Sequence, residues 1–185
     1  MHQKLWKSIQ LKQGFTLIKQ LDLFNNASDS EIKKKTVWKL FVDGASRNNP
    51  GPSGAGIYIE KDGVLVIKEG YYLGIKTNNQ AEYLALLLGL FVVAEQMGSG
   101  DTLALVSDSQ LLVRQLSGIY KVRQSHLLPL HALCKQIMHK LGATIVHVLR
   151  DQNSEADAMA NHGVDSKQFP PKHYIALLKN HDILL

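Results

Sequence analysis

The sequence predicts an α/β protein in which helices pack on the faces of a mixed β-sheet. Three β-rich segments come first, within 37–73, and helical and strand-like segments then alternate as far as residue 161. A hairpin start followed by such alternation is typical of a mixed sheet. The chain has 185 residues, 45% of them apolar, which suffices for one well-buried domain with extensions but not for two full-sized domains.

The first three predicted strands lie at 37–42, 54–60 and 64–73. The first is rich in β-forming residues and ends at a cluster of Gly, Pro and Asn, which indicates a turn. The second and third flank KDG, in which Asp62-Gly63 is a strong hairpin signal. We therefore expect a hairpin here.

Helices and strands alternate in the rest of the predicted domain. A long, almost wholly apolar helix is closed by Gly98 and Gly100, and a later helix with Pro near its start is closed by Gly142. The expected bounds are 81–97 (helix), 102–107 (buried strand), 109–116 (helix), 129–141 (helix), 143–149 (strand) and 154–161 (helix).

Four acidic residues fall where a strand ends or a helix begins, and each has an ordinary structural explanation. Asp43 precedes a glycine and suits a turn. Asp108 lies between two serines at a strand-to-helix junction, where an N-cap is common. Glu82 and Asp157 each lie three residues after an Asn or Ser at a helix start, which is typical of capping and of the helix dipole.

Taken together, the four acids point to a cation site. Strand ends and helix starts meet at the edges of a mixed sheet, and carboxylates that converge there repel one another unless cations neutralise them. Mg²⁺ prefers oxygen ligands, and two ions roughly 4 Å apart clamp the attacking and leaving oxygens of a phosphodiester. This interpretation requires the acids to converge, which their spacing alone does not establish.

Other sites that use Gly-rich turns do not fit the stretch FVDGASRNNPGPSGAG at 41–56. A P-loop needs Gly-Lys-Ser/Thr before a helix, whereas a strand follows here. A dinucleotide fingerprint needs GxGxxG opening a helix, and a nucleophile elbow needs GxSxG. The eight His never pair with the single Cys at the spacing of a zinc site.

Four motifs carry a family resemblance. DGASRNNPGPSGAG, TNNQAEYLALLLGL, SDSQLLVRQLSG and NSEADAMAN occur in order between residues 37 and about 163. In this order and at this spacing they resemble the four motifs of type 1 ribonuclease H. The resemblance implies a ribonuclease H-like fold, a five-stranded mixed sheet flanked by helices. It also implies endonucleolytic cleavage of the RNA strand of RNA/DNA hybrids with two Mg²⁺ or Mn²⁺ ions, giving 5′-phosphate and 3′-hydroxyl ends.

The resemblance also assigns roles to individual residues. The catalytic, metal-binding carboxylates would be Asp43, Glu82, Asp108 and Asp157. Three amides, Asn49, Asn79 and Gln110, would contact the minor groove, where they can pair with base edges and ribose 2′-hydroxyls. The DNA-strand phosphate would be held by Thr77 and Asn153. Turn formation and capping are the alternative roles for the amides.

The sequence departs from better-known members of the family in three places. Only RDQNSEA precedes Asp157, where many members have a longer loop with a His that assists turnover. His147 lies within a predicted strand and does not replace that residue, for which Arg150 is the candidate. No long basic protrusion follows Gly118, which leaves three candidates for backbone contact, Tyr120, Lys121 and Arg123.

The third departure concerns the phosphate pocket. The Arg expected two residues before Thr77 is replaced by Ile75, and Lys76 is the candidate that compensates. Because the His loop of the first departure is missing, the resemblance does not fix the metal preference or the turnover of the enzyme.

Positive charge is concentrated at the N-terminus. Residues 1–36 hold seven lysines and three acids, whereas 37–163 hold eleven basic and eleven acidic residues. We divide the chain into a basic N-terminal extension (1–36), a catalytic domain (37–163) and a C-terminal tail (164–185). The extension suits an acidic partner such as nucleic acid, and a solvated linker is the alternative. Its apolar residues, in two short helices broken at Gly14, would pack on the body or on a partner protein.

The sequence also bears on location and on rival functions. A single Cys indicates a reducing, cytoplasmic setting, and the longest apolar run, 83–94, is too short to span a bilayer, so no membrane partner is expected. A proofreading-type exonuclease is disfavoured, because its first motif is Asp-x-Glu and Gly-Ala follows Asp43 here. The alternative function is a non-catalytic hybrid-binding or scaffold module on the same fold.

Overall fold

The computed structural model describes residues 35–185, which hold five strands and five α-helices. The strands are β1 (Val37–Ser46), β2 (Gly51–Lys61), β3 (Val64–Lys76), β4 (Thr102–Ser107) and β5 (Thr144–His147). The helices are α1 (Asn78–Ala94), α2 (Gln110–Leu116), α3 (Leu128–Lys140), α4 (Ser154–Ser166) and α5 (Lys172–Lys179). Short 3₁₀ turns lie at Ser125–Leu127 and Arg150–Asn153. The two short helices expected in the N-terminal extension, broken at Gly14, lie outside the described residues.

The strands form one mixed sheet in the order β3-β2-β1-β4-β5. The pairs β1–β2 and β2–β3 are antiparallel, and the pairs β1–β4 and β4–β5 are parallel. The predicted hairpin, the mixed sheet and the alternation of strand and helix are therefore confirmed. The carboxyl ends of the parallel strands β1 and β4 lie at the same edge of the sheet.

The strand β1 is longer than predicted. It continues past residue 42 to Ser46, because Asp43, Ala45 and Ser46 pair in register with Gly56, Gly54 and Ser53 of β2. Asp43 thus lies inside a strand and not in the turn that follows it. The prediction that Asp43 lies in a turn was wrong, because the chain turns only after Ser46 and the neighbouring glycines serve close packing of helices.

One face of the sheet is covered by α1, which is buried along 81–93. Gly89 of this helix lies against Leu40 of β1. On its far side α1 contacts α3 and α5: Tyr83 packs against His131, and Tyr174 donates a hydrogen bond from its hydroxyl to the Leu84 carbonyl at 2.8 Å. A helix enclosed on all sides is expected to be almost wholly apolar, as this one is.

The segment 164–185 is part of the body and not a tail outside it. The helix α4 continues to Ser166, five residues beyond the predicted end at 161. Val164, Tyr174 and Leu178 are buried, and Ile183 is nearly so. The aromatic and apolar residues that follow Pro170-Pro171 complete the layer over α1.

The opposite face of the sheet carries α4 in unusually close contact. A Cβ atom at Gly56 or Gly70 would lie 2.0 Å from a backbone oxygen of α4, and one at Gly54 would lie 2.2 Å away. Only residues without a side chain allow the helix backbone to rest on the strand backbone in this way. These glycines, which the sequence placed in a turn and a strand, set the height of α4 above the sheet.

Further element boundaries differ from those predicted, among them both ends of α1 and both ends of β5. The helix α1 begins at Asn78, because Thr77 and Gln80 form a reciprocal capping box ahead of the predicted start at 81. It ends at Ala94 and not at 97. The strand β5 spans only Thr144–His147, since the chain turns soon afterwards into the 3₁₀ segment before α4. None of the helices within residues 35–185 has the length and apolar character needed to cross a membrane.

We expect Gly56→Ala to lower the free energy of unfolding by about 1–3 kcal/mol, which is the usual effect of overpacking. The added carbon would lie 2.0 Å from the Ala156 carbonyl oxygen, so α4 would have to lift away. Urea denaturation followed by circular dichroism measures the change. The control is Gly98→Ala, where the nearest atom, of Asp101, is 3.6 Å away and a change within about 0.5 kcal/mol is expected. Equal stability of the two variants would contradict the close contact.

Candidate active site

A polar pocket of about 260 Å³ lies at the edge of the sheet where β1 and β4 end. All four acids predicted from the sequence line it, so the convergence that their spacing left open is present in the structure. The lining residues are Asp43, Gly44, Ala45, Ser46, Asn78, Glu82, Asp108, Arg150, Asp157 and Asn161.

Direct contact between β1 and α1 brings the first two acids together. A Cβ atom at Gly44 would lie 2.2 Å from the Glu82 backbone nitrogen, so the start of α1 rests on the strand residue next to Asp43. Both carboxylates are buried, with 7% of each residue exposed. One oxygen of Glu82, Oε2, is buried without any hydrogen-bond partner.

Asp108 follows β4 directly and is held by Asn153. The Asn153 side-chain amide donates to Asp108 Oδ1 at 2.6 Å and to the Val42 carbonyl at 2.9 Å. It is 1% exposed, and both of its N–H groups have partners within the protein. The structure therefore does not support the predicted contact of Asn153 with a phosphate, and makes it a residue that positions Asp108.

Asp157 lies in the first turn of α4 between two donors. The Arg150 guanidinium pairs with its Oδ1, and the Asn161 amide donates to its Oδ2 at 3.3 Å and to its carbonyl at 2.9 Å. Asn161 was not singled out from the sequence. Its position four residues after Asp157, on the same helix face, is the signal that would have identified it.

Capping does not account for the three acids near helix starts. The cap of α1 is Thr77, and that of α2 is Ser109, which accepts from the Leu112 amide. At α4 the N-cap position is Asn153, and no side chain makes a capping hydrogen bond. Glu82, Asp108 and Asp157 thus have none of the capping roles that their sequence positions suggested, although Asp157 does lie in the first turn of α4.

Burial and mutual repulsion raise the proton affinity of the pocket. The pKa of Asp43 is raised to about 7, mainly by burial and then by the charges of Asp108 and Asp157, against which Arg150 acts. The pKa of Glu82 is raised well above its ordinary value, again mainly by burial and then by Asp43 and Asp108. A cation bound here would displace these protons and relieve the repulsion.

The donor set fits hard divalent cations. Four carboxylates from β1, α1, the end of β4 and α4 offer oxygen ligands, and the orphaned Glu82 Oε2 faces no protein donor. Within residues 35–185 no three acidic or His side chains already stand in coordination geometry. Arg150 and Asn153 hold two of the carboxylates instead, so the ligands would reorient as cations bind.

The remaining predicted contact residues do not line the pocket but adjoin its lining in sequence or by a hydrogen bond. Asn49, in the exposed turn after β1, accepts a hydrogen bond at its Oδ1 from the Asn78 amide at 2.8 Å, which leaves its NH₂ group free. Gln110 is exposed at the start of α2, and Asn79 is half-buried in the first turn of α1. The Thr77 hydroxyl is engaged in its capping box with Gln80.

Charge within residues 37–163 is segregated, although the net charge of this segment is zero. Between 109 and 150 the chain has no acidic residue and six basic ones, Arg114, Lys121, Arg123, Lys135, Lys140 and Arg150. This acid-free segment forms α2, α3 and β5 beside Asp108. Within it the Arg114 guanidinium lies 5.0 Å from the centre of the exposed Tyr120 ring. Counting charge over the whole body concealed this feature, which a count over shorter windows reveals.

The raised pKa of Asp43 predicts the pH dependence of stability in the metal-free protein. Between pH 3.8 and about 7 the folded chain keeps a proton on Asp43 that the unfolded chain has lost, so stability falls as pH rises through this window. Asp43→Asn should therefore raise the free energy of unfolding at pH 8 by roughly 2–4 kcal/mol, and much less at pH near 4. Urea denaturation with chelator present measures both, and the control is the exposed carboxylate variant Asp151→Asn. A gain that does not depend on pH would contradict the raised pKa.

Comparisons with known proteins agree with this architecture. A family model described as Reverse transcriptase-like matches residues 41–163. Ribonuclease HI of Halobacterium salinarum is 37% identical over 127 residues, which are 68% of this chain and 63% of that protein. The chain thus spans less than two-thirds of the length of this curated relative.

Solved structures of RNase H1 proteins are also similar to this chain. The crystal structure of RNase H1 from Halobacterium salinarum is 36% identical, with a TM-score of 0.66, and the match covers 70% of this chain and 98% of that one. The crystal structure of LC11-RNase H1, which was isolated from compost, in complex with an RNA/DNA hybrid is 31% identical, with a TM-score of 0.63. That match covers 71% of this chain and 98% of the other. On the fold, the four motifs and these similarities, the chain belongs to the type 1 ribonuclease H family.

Proposed function

We propose that the chain hydrolyses the RNA strand of RNA/DNA hybrids as a metal-dependent endonuclease. The observation that carries the proposal is the meeting of four carboxylates from four different elements in one pocket, two of them with raised pKa values. The similarity to LC11-RNase H1, whose complex with an RNA/DNA hybrid is solved, supports the choice of substrate. The product ends expected are 5′-phosphate and 3′-hydroxyl.

Asp43, Glu82, Asp108 and Asp157 would hold two Mg²⁺ or Mn²⁺ ions. When bound, such ions stabilise negative charge on the attacking and leaving oxygens of a phosphodiester. Asp43 and Glu82 give up their protons on binding, which makes loading of the site more favourable as pH rises through about 7. In the metal-free structure the amides of Asn153 and Asn161 orient the carboxylates of Asp108 and Asp157 toward the pocket's other acids, and these contacts would adjust as cations bind.

Arg150 occupies the position before α4 where better-known members of the family carry their His loop. Its guanidinium is 77% exposed and pairs with Asp157. Because Arg stays protonated in proteins, it neutralises charge beside the leaving group but does not accept a proton as His can. We infer that Arg150 takes over the electrostatic part of that role, while proton transfer is left to water.

Substrate binding would use both amides and basic residues. Asn49, Asn79 and Gln110 are the proposed minor-groove contacts, because their amides can pair with base edges and with the 2′-hydroxyl that distinguishes RNA from DNA. The acid-free segment next to Asp108 supplies cations for the sugar–phosphate backbone. Thr77 is the remaining candidate for the DNA-strand phosphate, with Lys76 in place of the missing Arg. We also propose a cytoplasmic location, because Cys134, the one cysteine, is a buried free thiol.

The first test uses a labelled RNA/DNA hybrid with Mg²⁺, Mn²⁺ or chelator. We expect cleavage with either ion, none of RNA duplex, DNA duplex or single-stranded RNA, and products with 5′-phosphate ends. Asp43→Asn and Asp108→Asn should each lower the rate by at least about a hundredfold, since each removes a metal ligand. Asp151→Asn, which alters an exposed acid outside the pocket, should cut normally. Hybrid binding without cleavage under either ion would instead favour the alternative, a non-catalytic hybrid-binding or scaffold module.

A second test addresses the basic extension. Changing Lys33, Lys34 and Lys35 to Gln should weaken hybrid binding and flatten its salt dependence, because each lost phosphate contact lowers the slope of log K against log salt by about 0.9. Binding is measured by fluorescence anisotropy between about 50 and 200 mM salt. The control changes Lys172 and Lys179 of α5 to Gln. Unchanged affinity and slope in the triple variant would identify the extension as a solvated linker.

A further inference from the structure

An ion pair joins the Gly-rich turn after β1 to the end of α4. The Arg47 guanidinium lies 2.7 Å from Asp165 Oδ1, and the two side chains are 53% and 60% exposed. An ion pair so open to solvent contributes about 0–1 kcal/mol to folding. Stability therefore does not explain the contact, which directs the guanidinium toward the end of α4.

The backbone of Arg47 is also held in place, by contacts within the turn. Its N–H donates to the Pro52 carbonyl at 2.9 Å, which closes the turn. Gly51 packs so closely that a Cβ there would lie 1.5 Å from the Arg47 carbonyl oxygen. The preceding residue, Ser46, lines the carboxylate pocket. Arg47 is thus a positioned cation at the rim of the site and not a free surface side chain.

The position of Asp165 on α4 gives the distance between the ion pair and the carboxylate pocket. Asp157, Asn161 and Asp165 follow one another at intervals of four residues on α4, so they lie along one face with a rise of about 6 Å per step. The first two belong to the pocket lining. Asp165, and the guanidinium that it holds, therefore stand about 12 Å from Asp157 along the helix. A nucleic acid strand spans such a distance within a few nucleotides.

The charges of the pocket require cations of this kind. Four of the lining residues are acidic and only Arg150 is basic. A polyanion placed over such a lining is attracted by bound metal ions at one phosphate but repelled elsewhere, unless basic groups meet its other phosphates. Arg presents five N–H donors in a fork that matches phosphate oxygens, and the contact with Asp165 leaves donors free.

We propose that Arg47, oriented by Asp165, binds a backbone phosphate a few nucleotides from the scissile one on the α4 side of the pocket. This subsite rests on the proposed function and adds to it a contact that neither the basic extension nor the acid-free segment provides. Asp165 acts as a positioning residue, while Arg47 touches the substrate.

The test compares Arg47→Gln with Arg47→Lys and with a matched control. Lys68→Gln removes the other exposed ion pair between the sheet and α4, which Lys68 forms with Glu155 outside the pocket lining. Hybrid binding is measured with Ca²⁺ in place of Mg²⁺ across the salt series, and KM and kcat are measured with Mg²⁺. For Arg47→Gln we expect binding weakened roughly threefold to tenfold, a salt slope smaller by about 0.9, and a raised KM with kcat retained. Arg47→Lys should keep the slope and recover part of the affinity, and Lys68→Gln should match the wild type.

Two results would overturn the subsite. Equal losses in Arg47→Gln and Lys68→Gln would show that the pair only ties α4 to the sheet. An unchanged salt slope in Arg47→Gln would show that no phosphate is bound there. If the wild type cuts hybrids and Arg47→Gln behaves like it, only this inference fails. A wild-type protein that neither binds nor cuts hybrids would overturn the proposed function as well.

Discussion

The active site depends on the direct contact of helix backbones with glycines of the sheet. At Gly44 the start of α1 packs directly on the strand backbone, and at Gly56 α4 does so beside the strand pair that carries Asp43. Side chains at these two positions would hold both helices away by the thickness of a methyl group or more. Glu82 and Asp157 would then withdraw from Asp43. The Gly-rich composition of the first motif is thus explained by the approach of helices and only secondarily by the turn.

Bringing the four carboxylates together creates electrostatic repulsion, which the rest of the chain reduces only in part. Arg150 and Asn153 hold one carboxylate each, but Glu82 keeps an orphaned oxygen and a raised pKa. The hydrophobic layer built on α1, to which α3 and α5 contribute, is what keeps the acids in place against their repulsion. This arrangement is obtained at the expense of local stability, as is common where activity requires a destabilised site.

Patterns that are local in sequence predicted most of the fold and the four carboxylates. Turn residues, apolar runs and the order of motifs are readable one window at a time, and they gave the mixed sheet and its hairpin correctly. Contacts between distant residues were not readable in this way. The continuation of β1 depends on its pairing with β2. The hydroxyl of the buried Tyr174 is hydrogen-bonded to the Leu84 carbonyl, and the side chain of Asn153 is hydrogen-bonded to the carbonyl of Val42, which lies 111 residues earlier. Asn153 was misassigned for this reason, since an exposed and a buried Asn look alike in sequence.

Net charge was the least informative of the sequence measures, because attraction of a polyanion depends on where charges lie. Exposed charges are screened beyond about 8–10 Å at ordinary ionic strength, so acids at one end of the body do not cancel bases at the other. The acid-free segment and the carboxylate pocket meet at Asp108, where β4 ends and α2 begins. A duplex lying there would meet cations of the protein beside the four carboxylates that we propose as metal ligands. A compact member of the family can therefore do without a basic protrusion, provided that its bases and acids are separated along the chain as they are here.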